Sequence, residues 1–220
     1  FLHADDGIPD PLWSRGLGDV YKRQDIIVGC TGGGSNLAGL MFPFLGQQLR
    51  GGQKIDIIGC EPLSCPSFTK GKYAYDHGDM ARMTPLIKMH TLGSDFLPPA
   101  NHSGGLRYHG MSYHLSHLYD LGLMRAKAYG QKDCFEAGVI FGKQEGIIPA
   151  PEGNHAVKGA IDAALECKEK GESKTILFNL CGHGHFDMTA YDDYFSGKLA
   201  DDFYDENSAN KSLSKLPEIA

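Results

Sequence analysis

The sequence predicts an α/β protein built on a parallel sheet. Short apolar runs that end in turn residues alternate with longer segments of helical character, a pattern typical of parallel sheets. The first run, DIIVG at 25–29, is almost wholly apolar, as expected of a strand that is buried on both faces. A glycine-rich turn, CTGGGSN, follows it directly. Ligands of such sheets bind beyond the carboxyl ends of the strands, so these turns are the first places to look for a site.

The elements of the first half follow in order. After the glycine turn we expect a helix over 37–49 that is kinked or broken at Pro43, and then a strand over 54–62. Residues 63–110 are irregular and rich in Gly, Pro, His and Met. A stretch of this length without regular structure usually carries function or covers a site.

The second half of the chain repeats the alternation of helix and strand. A helix is expected over 111–122, a strand over 124–130 and a second helix over 132–146. A turn over 147–156 then leads into a third helix over 155–172, and a strand with a glycine turn follows over 174–184. Beyond Gly197 the chain turns polar, which predicts a surface helix and a frayed terminus over 200–220.

Composition sets limits on the function. The chain has 220 residues and a net charge of −6, which argues against nucleic acid as the main partner. No apolar run approaches the roughly 18 residues of a membrane span, and we expect no secretion signal. The six cysteines are scattered and include no CxxC pair, which indicates reduced, mostly buried thiols in a cytoplasmic protein.

The glycine turn has the composition of an anion site. Consecutive glycines let backbone N–H groups approach an anion, and the start of the next helix adds its dipole. The candidate ligands are Gly32, Gly33, Gly34, Ser35 and Asn36. The spacing fits neither the dinucleotide-binding GxGxxG pattern nor the P-loop, which requires a lysine where Ser35 stands. A small phosphate is therefore the natural ligand, and the alternative is a glycine turn that serves only tight strand–helix packing.

Three other groups of residues could carry chemistry. Glu152 and His155 are expected in a turn before a helix, where the alternative role is capping. Arg107 lies in the glycine-flanked loop GGLRYHGM and could pair with a carboxylate, or could be an ordinary surface residue. The run HGHFD offers histidine and aspartate ligands, but one short cluster is a weak metal signal, and we expect no metal site.

Five segments of the chain carry a resemblance to a known family. They read GCTGGGSNLAGLMFPF, TPLIKMHTLG, GGLRYHGM, EGIIPAPEGNHA and LFNLCGHGHFD. In this order they resemble the tryptophan synthase beta chain, and most closely its longer, second type, which has an arginine at the Arg107 position and GHGHFD in the final motif. The resemblance covers about residues 25–199 and implies a parallel-sheet α/β pyridoxal-phosphate enzyme, represented here by its C-terminal part.

The resemblance implies a role for each matching position. Residues 32–36 would hold the phosphate of pyridoxal phosphate, Glu152 would handle a proton beside the reacting carbon, Cys181 would face the pyridine nitrogen, and Arg107 would help to shape the substrate pocket. A neutral thiol beside that nitrogen suits β-replacement over transamination. The implied reaction joins L-serine and indole to give L-tryptophan. A homodimer is implied for the full-length enzyme, a monovalent cation is a further ligand to consider, and an alpha subunit stays open.

The family's Schiff-base lysine has no counterpart in this sequence. The only lysine before residue 25 is Lys22, and it matches no family motif. Read back into codons, SRGLGDVYKRQ at 14–24 resembles a DNA-library adapter with its transposon end, so we interpret residues 1–24 as translated adapter rather than native protein. The rival interpretation is a short natural arm. The expected consequence is a 220-residue polypeptide that does not make tryptophan by itself.

Other functions stay open at this point. A second enzyme class is another pyridoxal-phosphate β-eliminating or β-replacing enzyme, of the threonine synthase or serine dehydratase type. A non-enzymatic alternative is a phosphate-binding or regulatory module. A third alternative, suggested by the HGHFD run, is a metal hydrolase, which would bind stoichiometric zinc.

Overall fold

The computed structural model describes residues 24–201 and 203–218, so residues 1–23, which hold almost all of the adapter-like segment, lie outside the described part. The strands are β1 Ile26–Cys30, β2 Asp56–Pro62, β3 Lys72–His77, β4 Leu86–Thr91, β5 Arg125–Tyr129 and β6 Ile176–Phe178. The helices are α1 Ser35–Leu49, α2 Tyr113–Asp120, α3 Gln131–Glu145, α4 Pro151–Lys170, α5 Met188–Phe195 and α6 Glu206–Leu213.

Four strands form the predicted parallel sheet, in the order β5-β2-β1-β6. Strand β1 pairs in parallel with β2 and with β6, and all five of its residues are buried. The α/β class and the parallel sheet are therefore confirmed. Because β1 lies inside the sheet, the glycine turn that follows it is flanked by the ends of both neighbouring strands.

Side chains alternate between the two faces of the sheet, and helices cover both faces. On one face Ile27 and Ile57 pack against α1 and α2. On the other face Ile26, Val28 and Ile58 pack against α3 and α4. Burial on both faces explains why β1 reads as a continuous apolar run instead of an alternating one.

The stretch 63–110 contains a hairpin that the sequence did not predict. Strands β3 and β4 pair in antiparallel fashion, with Lys72 opposite Thr91 and His77 opposite Leu86. Both strands are partly exposed and carry Lys and His, and β3 also carries Asp, so they lack the apolar run that marks the other strands. Eight residues join them, which is longer than the short turns that give a hairpin its sequence signature.

The expected break of the first helix at Pro43 and the expected turn at Glu152 are both wrong. Helix α1 continues through Pro43 without a break, since Pro43 lies on its exposed side while the buried residues Leu37, Met41 and Leu45 hold the other side in the core. Helix α4 begins at Pro151, so Glu152 lies in its first turn and not in a preceding loop. Proline is favoured at this first position because it has no N–H to leave unpaired.

The remaining expectations concern cysteines, membranes and the C-terminus. All six cysteines are free, and five are buried while Cys181 is partly exposed. No helix within 24–201 and 203–218 is long and apolar enough to cross a bilayer. Helix α6 lies in the polar C-terminal stretch and buries Ala209 against Cys65, Leu92 and Phe96.

Candidate functional site

The glycine turn joins the end of β1 to the start of α1. Gly34 precedes the helix with φ of +93°, a left-handed conformation that favours glycine, and no side chain caps this helix end. The first N–H groups of any helix lack partners inside the helix, and the helix dipole makes this end positive. The turn therefore presents backbone donors at a positive helix end, which is the arrangement that a phosphate requires.

The glycines are also required by close packing. A Cβ atom at Gly32 would lie 2.7 Å from Cα of Leu106, and one at Gly34 would lie 2.5 Å from Cδ1 of Leu115. Gly33 has more room, since its nearest neighbour would be Cδ1 of Tyr108 at 3.4 Å. Tight packing therefore accounts for two of the three glycines, and it is compatible with an anion site because it presses the loop 104–106 against the turn.

Asn36 is oriented by a residue from another strand end. Nδ2 of Asn179, which follows β6, donates a hydrogen bond of 2.9 Å to Oδ1 of Asn36. With its oxygen engaged, the amide of Asn36 has its Nδ2 donors left for another acceptor. An anion at the glycine turn needs this orientation, because the opposite one would present a carbonyl oxygen to it. The group Gly32–Asn36 together with Asn179 is called the cradle below.

Glu152 lies beside the cradle. Its Oε1 accepts a hydrogen bond of 2.8 Å from N of Gly105, in the loop that packs on Gly32. The cluster of Cys30, Leu106 and Ala156, with Cys181 packed against it, lies at the same end of the sheet. The structure thus brings together the glycine turn, Glu152 and Cys181, which are up to about 150 residues apart in the sequence.

Cys181 contacts a second thiol. Its Sγ lies 3.4 Å from Sγ of Cys30, the last residue of β1. This hydrogen bond lowers the pKa of Cys181 to about 7, although burial opposes the shift. The same bond, together with burial, raises the pKa of Cys30 far above its usual value. Either sulfur could donate in the neutral pair, but the opposite directions of the two pKa shifts mean that Cys181 carries the thiolate when one forms.

Arg107 stands apart from this group. Its side chain is exposed, and Nη2 donates a hydrogen bond of 2.7 Å to the carbonyl oxygen of Pro98. The residue adjoins Leu106, which contacts the cradle, but its guanidinium points to a loop carbonyl and is not bound to a carboxylate. This position allows a role at the rim of a pocket and not in the phosphate site.

The HGHFD run does not form a cluster of metal ligands. His183 and His185 are exposed, and their rings lie 4.8 Å apart. Within the described ranges, no group of three or more His, Cys, Asp and Glu side chains could hold a metal ion.

Sequence reasoning missed Glu61, the most deeply buried carboxylate near this end of the sheet. Glu61 accepts hydrogen bonds from N of Phe68 at 2.8 Å and from N and Oγ1 of Thr69 at 2.9 and 2.6 Å. Burial raises the pKa of Glu61 to about 7, against the opposing effect of these bonds. A glutamate inside the apolar strand IIGCEP is the signal that could have identified it.

Comparison with known proteins agrees with these features. A family model described as pyridoxal-phosphate dependent enzyme matches residues 14–182, and so begins within the segment interpreted as adapter. The chain is 56% identical over 183 residues to tryptophan synthase beta chain 2 of Methanosarcina mazei, and 56% identical over 180 residues to that of Aquifex aeolicus. It is 50% identical over 197 residues to the tryptophan synthase beta chain of Pyrococcus horikoshii.

The matched regions cover most of this chain but less than half of each relative. They span 83%, 80% and 90% of the chain and 41%, 42% and 42% of the relatives, in the same order. Among solved structures, an L-serine ammonia-lyase from the fungus Rhizomucor miehei has a TM-score of 0.58 at 13% identity, covering 84% of this chain and 54% of that one. That likeness supports the fold alone.

The residues of the cradle are suited to bind pyridoxal phosphate, the cofactor for which this family is named. The cradle offers backbone and amide donors at a positive helix end, and no lysine is needed to hold a phosphate there. Since the family model matches well over half of the sequence, the chain belongs to the family of pyridoxal-phosphate dependent enzymes.

Proposed function

We propose that this chain is part of a tryptophan synthase beta-type enzyme that joins L-serine and indole to give L-tryptophan. The observation that carries the proposal is the convergence of the cradle, Glu152 and Cys181 at one end of the sheet. Identities of 50–56% to relatives named tryptophan synthase beta chain support the choice of reaction within the family.

The residues of the cradle and Glu152 have different roles in the proposed reaction. Backbone N–H groups of Gly32–Ser35 and the amide of Asn36 bind the phosphate, and the helix dipole of α1 adds to the attraction. Glu152 moves a proton near the reacting carbon, and its hydrogen bond to Gly105 holds the carboxylate in place. When bound, pyridoxal phosphate supplies an electron sink for the α-carbon of the amino acid.

Cys181 sets the environment of the cofactor ring. In its neutral form, a thiol beside the pyridine nitrogen does not hold that nitrogen protonated as a carboxylate does, which favours elimination and replacement reactions. Arg107 lies at the rim of the loop over the cradle, where it shapes the approach of the substrate. A cytoplasmic location, a homodimer of the full-length enzyme and a monovalent cation belong to the same proposal, and an alpha subunit is a further partner to test.

We further propose that the 220-residue polypeptide alone does not catalyse the formation of tryptophan. No lysine in it matches the covalent cofactor lysine of the family, and that lysine also moves the α-proton. Incubation of the purified chain with L-serine, indole and pyridoxal phosphate should give no tryptophan above the reaction without protein. Detectable tryptophan would contradict this part of the proposal.

The phosphate site is tested by binding, which needs no turnover. Calorimetric titration of the chain with pyridoxal phosphate and with phosphate-free pyridoxal should show tighter binding of the phosphorylated form. Asn36→Ala should weaken binding of pyridoxal phosphate about ten- to hundredfold, since a hydrogen bond to a charged group contributes about 1.5–3 kcal/mol. The matched control is Asn101→Ala, which removes an amide that is bonded to Ser64 instead. Equal binding of pyridoxal and pyridoxal phosphate would overturn the cradle assignment.

A further inference from the structure

Cys30 and Cys181 form a close pair of thiols that the proposed reaction does not use as a pair. They are 151 positions apart in sequence, yet their sulfur atoms lie 3.4 Å apart because β1 and β6 are neighbours in the sheet. Among the cysteines of the described ranges, all six of which are free, this is the only sulfur–sulfur hydrogen bond.

The short distance between the two sulfur atoms favours a disulfide. Cys30 is the last residue of β1, and Cys181 lies three residues beyond the end of β6, so the two side chains meet at the same end of the sheet. A bond between the sulfurs requires them to approach from 3.4 Å to about 2.05 Å, which is within reach of a rotation about the side-chain bonds.

The two thiols differ in the properties that an exchange reaction requires. Cys181 is partly exposed, whereas Cys30 is 2% exposed. The hydrogen bond from Cys30 lowers the pKa of Cys181 to about 7, so the accessible thiol is also the better source of thiolate. An external reagent therefore meets Cys181 first, and Cys30 is held in contact behind it.

We propose that Cys30 and Cys181 are a thiol–disulfide exchange site that reacts with small disulfides such as oxidised glutathione. The Cys181 thiolate attacks one sulfur of the small disulfide, which forms a mixed disulfide and releases one glutathione thiolate. The Cys30 thiol then loses its proton and attacks Sγ of Cys181, which forms the Cys30–Cys181 bond and releases the second glutathione. The pair is oxidised by two electrons, and the small disulfide is reduced to two thiols.

The consequence for the cofactor rests on the proposed function. If Cys181 faces the pyridine nitrogen, the disulfide replaces a hydrogen-bonding thiol with a sulfur that has no proton to share. The oxidised chain should then bind pyridoxal phosphate more weakly than the reduced chain. The exchange reaction itself does not depend on this assignment and can be measured without the cofactor.

The test uses the whole chain and mass spectrometry. The reduced protein is incubated with oxidised glutathione, its remaining thiols are alkylated, and it is digested with trypsin. The expected product joins the peptides 24–50 and 175–198, each of which contains one cysteine, while the other four of the six cysteines are alkylated. Addition of a reducing agent should separate the two peptides.

Variants separate the pair from general thiol reactivity. In Cys30→Ala the reaction should stop at a stable glutathione adduct on Cys181, because the resolving thiol is gone. In Cys167→Ala, which removes a buried thiol near the C-terminal end of α4, far along the helix from Ala156, the cross-link should form as in the unaltered chain. A stable glutathione adduct on Cys181 in the unaltered chain, or cross-links shared among several cysteines, would overturn the proposal.

The exchange site and the placement of Cys181 against the cofactor ring can fail independently, and each failure gives a different result. If the cross-link forms but oxidised and reduced chains bind pyridoxal phosphate equally, the exchange site stands and the placement of Cys181 against the cofactor ring fails. If the cross-link does not form while pyridoxal phosphate still binds better than pyridoxal, the exchange site fails and the cradle assignment stands.

Discussion

The cradle and the hairpin region use their polar groups in opposite ways. At the cradle, the start of α1 has no side-chain cap, and Asn36 uses its oxygen on Asn179 while its NH₂ group stays available. In the hairpin region, defined as β3, β4 and residues 61–71 before them, Glu61 at the end of β2 takes three hydrogen bonds from residues 68 and 69. There too, Asp76 accepts a bond of 2.7 Å from Oγ1 of Thr91.

This difference distinguishes residues that stabilise the fold from residues that are available to bind a ligand. A buried polar group that is satisfied within the chain contributes to structure, and its loss leaves a partner unpaired. A donor left available at a positive helix end contributes little to the fold but is ready for an anion. Substitutions in the hairpin region should therefore change stability, and those at the cradle should change binding, except where a glycine of the cradle also fills a packing position.

The largest effect is expected from Gly34→Val, which tests that exception. The added side chain would meet Leu115 and Met111 within 2.6 Å and would have to adopt φ of +93°. We expect a loss of about 3 kcal/mol in the free energy of unfolding, from overpacking and backbone strain together, measured by urea denaturation. The matched control is Gly39→Ala, an exposed helical site with open space, where we expect a gain of about 0.5–1 kcal/mol. Equal stabilities would show that the turn is not tightly packed.

Glu61→Gln should give the next largest effect, and the effect should depend on pH. The amide can replace only some of the carboxyl's contacts, so we expect a loss of about 2 kcal/mol at pH 5. The pKa of Glu61 is raised to about 7 in the folded chain, above its unfolded value of 4.5. Its stabilising contribution is therefore complete below about pH 4.5 and is lost as the pH rises through 7.

The stability gap between the unaltered chain and Glu61→Gln should therefore narrow from pH 5 to pH 7.5, because the glutamine does not titrate. Urea midpoints across this range provide the measurement. Glu172→Gln is the control, since Lys174 lowers the pKa of exposed Glu172 and its titration falls below this range. A gap that stays constant with pH would mean that Glu61 ionises as an ordinary surface carboxylate.

Asn179→Ala should have a smaller effect, and it should appear in binding. Without the bond from Asn179, the amide of Asn36 is free to rotate and to present its oxygen to the anion. We expect affinity for pyridoxal phosphate to fall three- to tenfold, while affinity for phosphate-free pyridoxal is unchanged. Calorimetry with the two ligands gives the comparison. A parallel loss for both ligands would indicate general damage to the site and would remove the positioning role.

The smallest effect is expected from Arg107→Ala. The side chain is exposed and makes a single bond to the carbonyl oxygen of Pro98, so stability should change by less than about 0.5 kcal/mol. Phosphate affinity should also be unchanged, because the guanidinium is bonded to the carbonyl oxygen of Pro98 and not to a residue of the cradle. A threefold or larger loss of pyridoxal phosphate affinity would place Arg107 in the anion site, contrary to this structure.

The sequence predicts the parts of this molecule that are local. The apolar run at 26–30, the glycines that follow it and the alternation of helices with strands all reflect neighbours in the chain, and the sheet confirms them. Glu152 and Cys181 were found through short motifs within the resemblance. Their placement beside the cradle depends on how distant strands align, which no local pattern contains.

The missed features depend on contacts between distant segments. Asn179 is an unremarkable residue until the pairing of β1 with β6 brings it to Asn36, 143 positions away. Cys30 likewise gains its partner only through that pairing. The hairpin was missed for a different reason, because its strands are partly exposed and the long loop between them lacks a turn signature.

The placement of β6 beside β1 also sets an order of events during folding. Strand β1 can pair with β2, which lies about 30 residues further along the chain, long before it can pair with its other neighbour, which lies about 150 residues further along. Closing so long a loop costs conformational entropy before any contact between the strands offsets that cost. Long-range pairing of this kind therefore slows folding. On the ribosome, both the amide orientation at Asn36 and the thiol pair must wait for residues 176–181. The anion site is therefore among the last parts of this sheet to be completed.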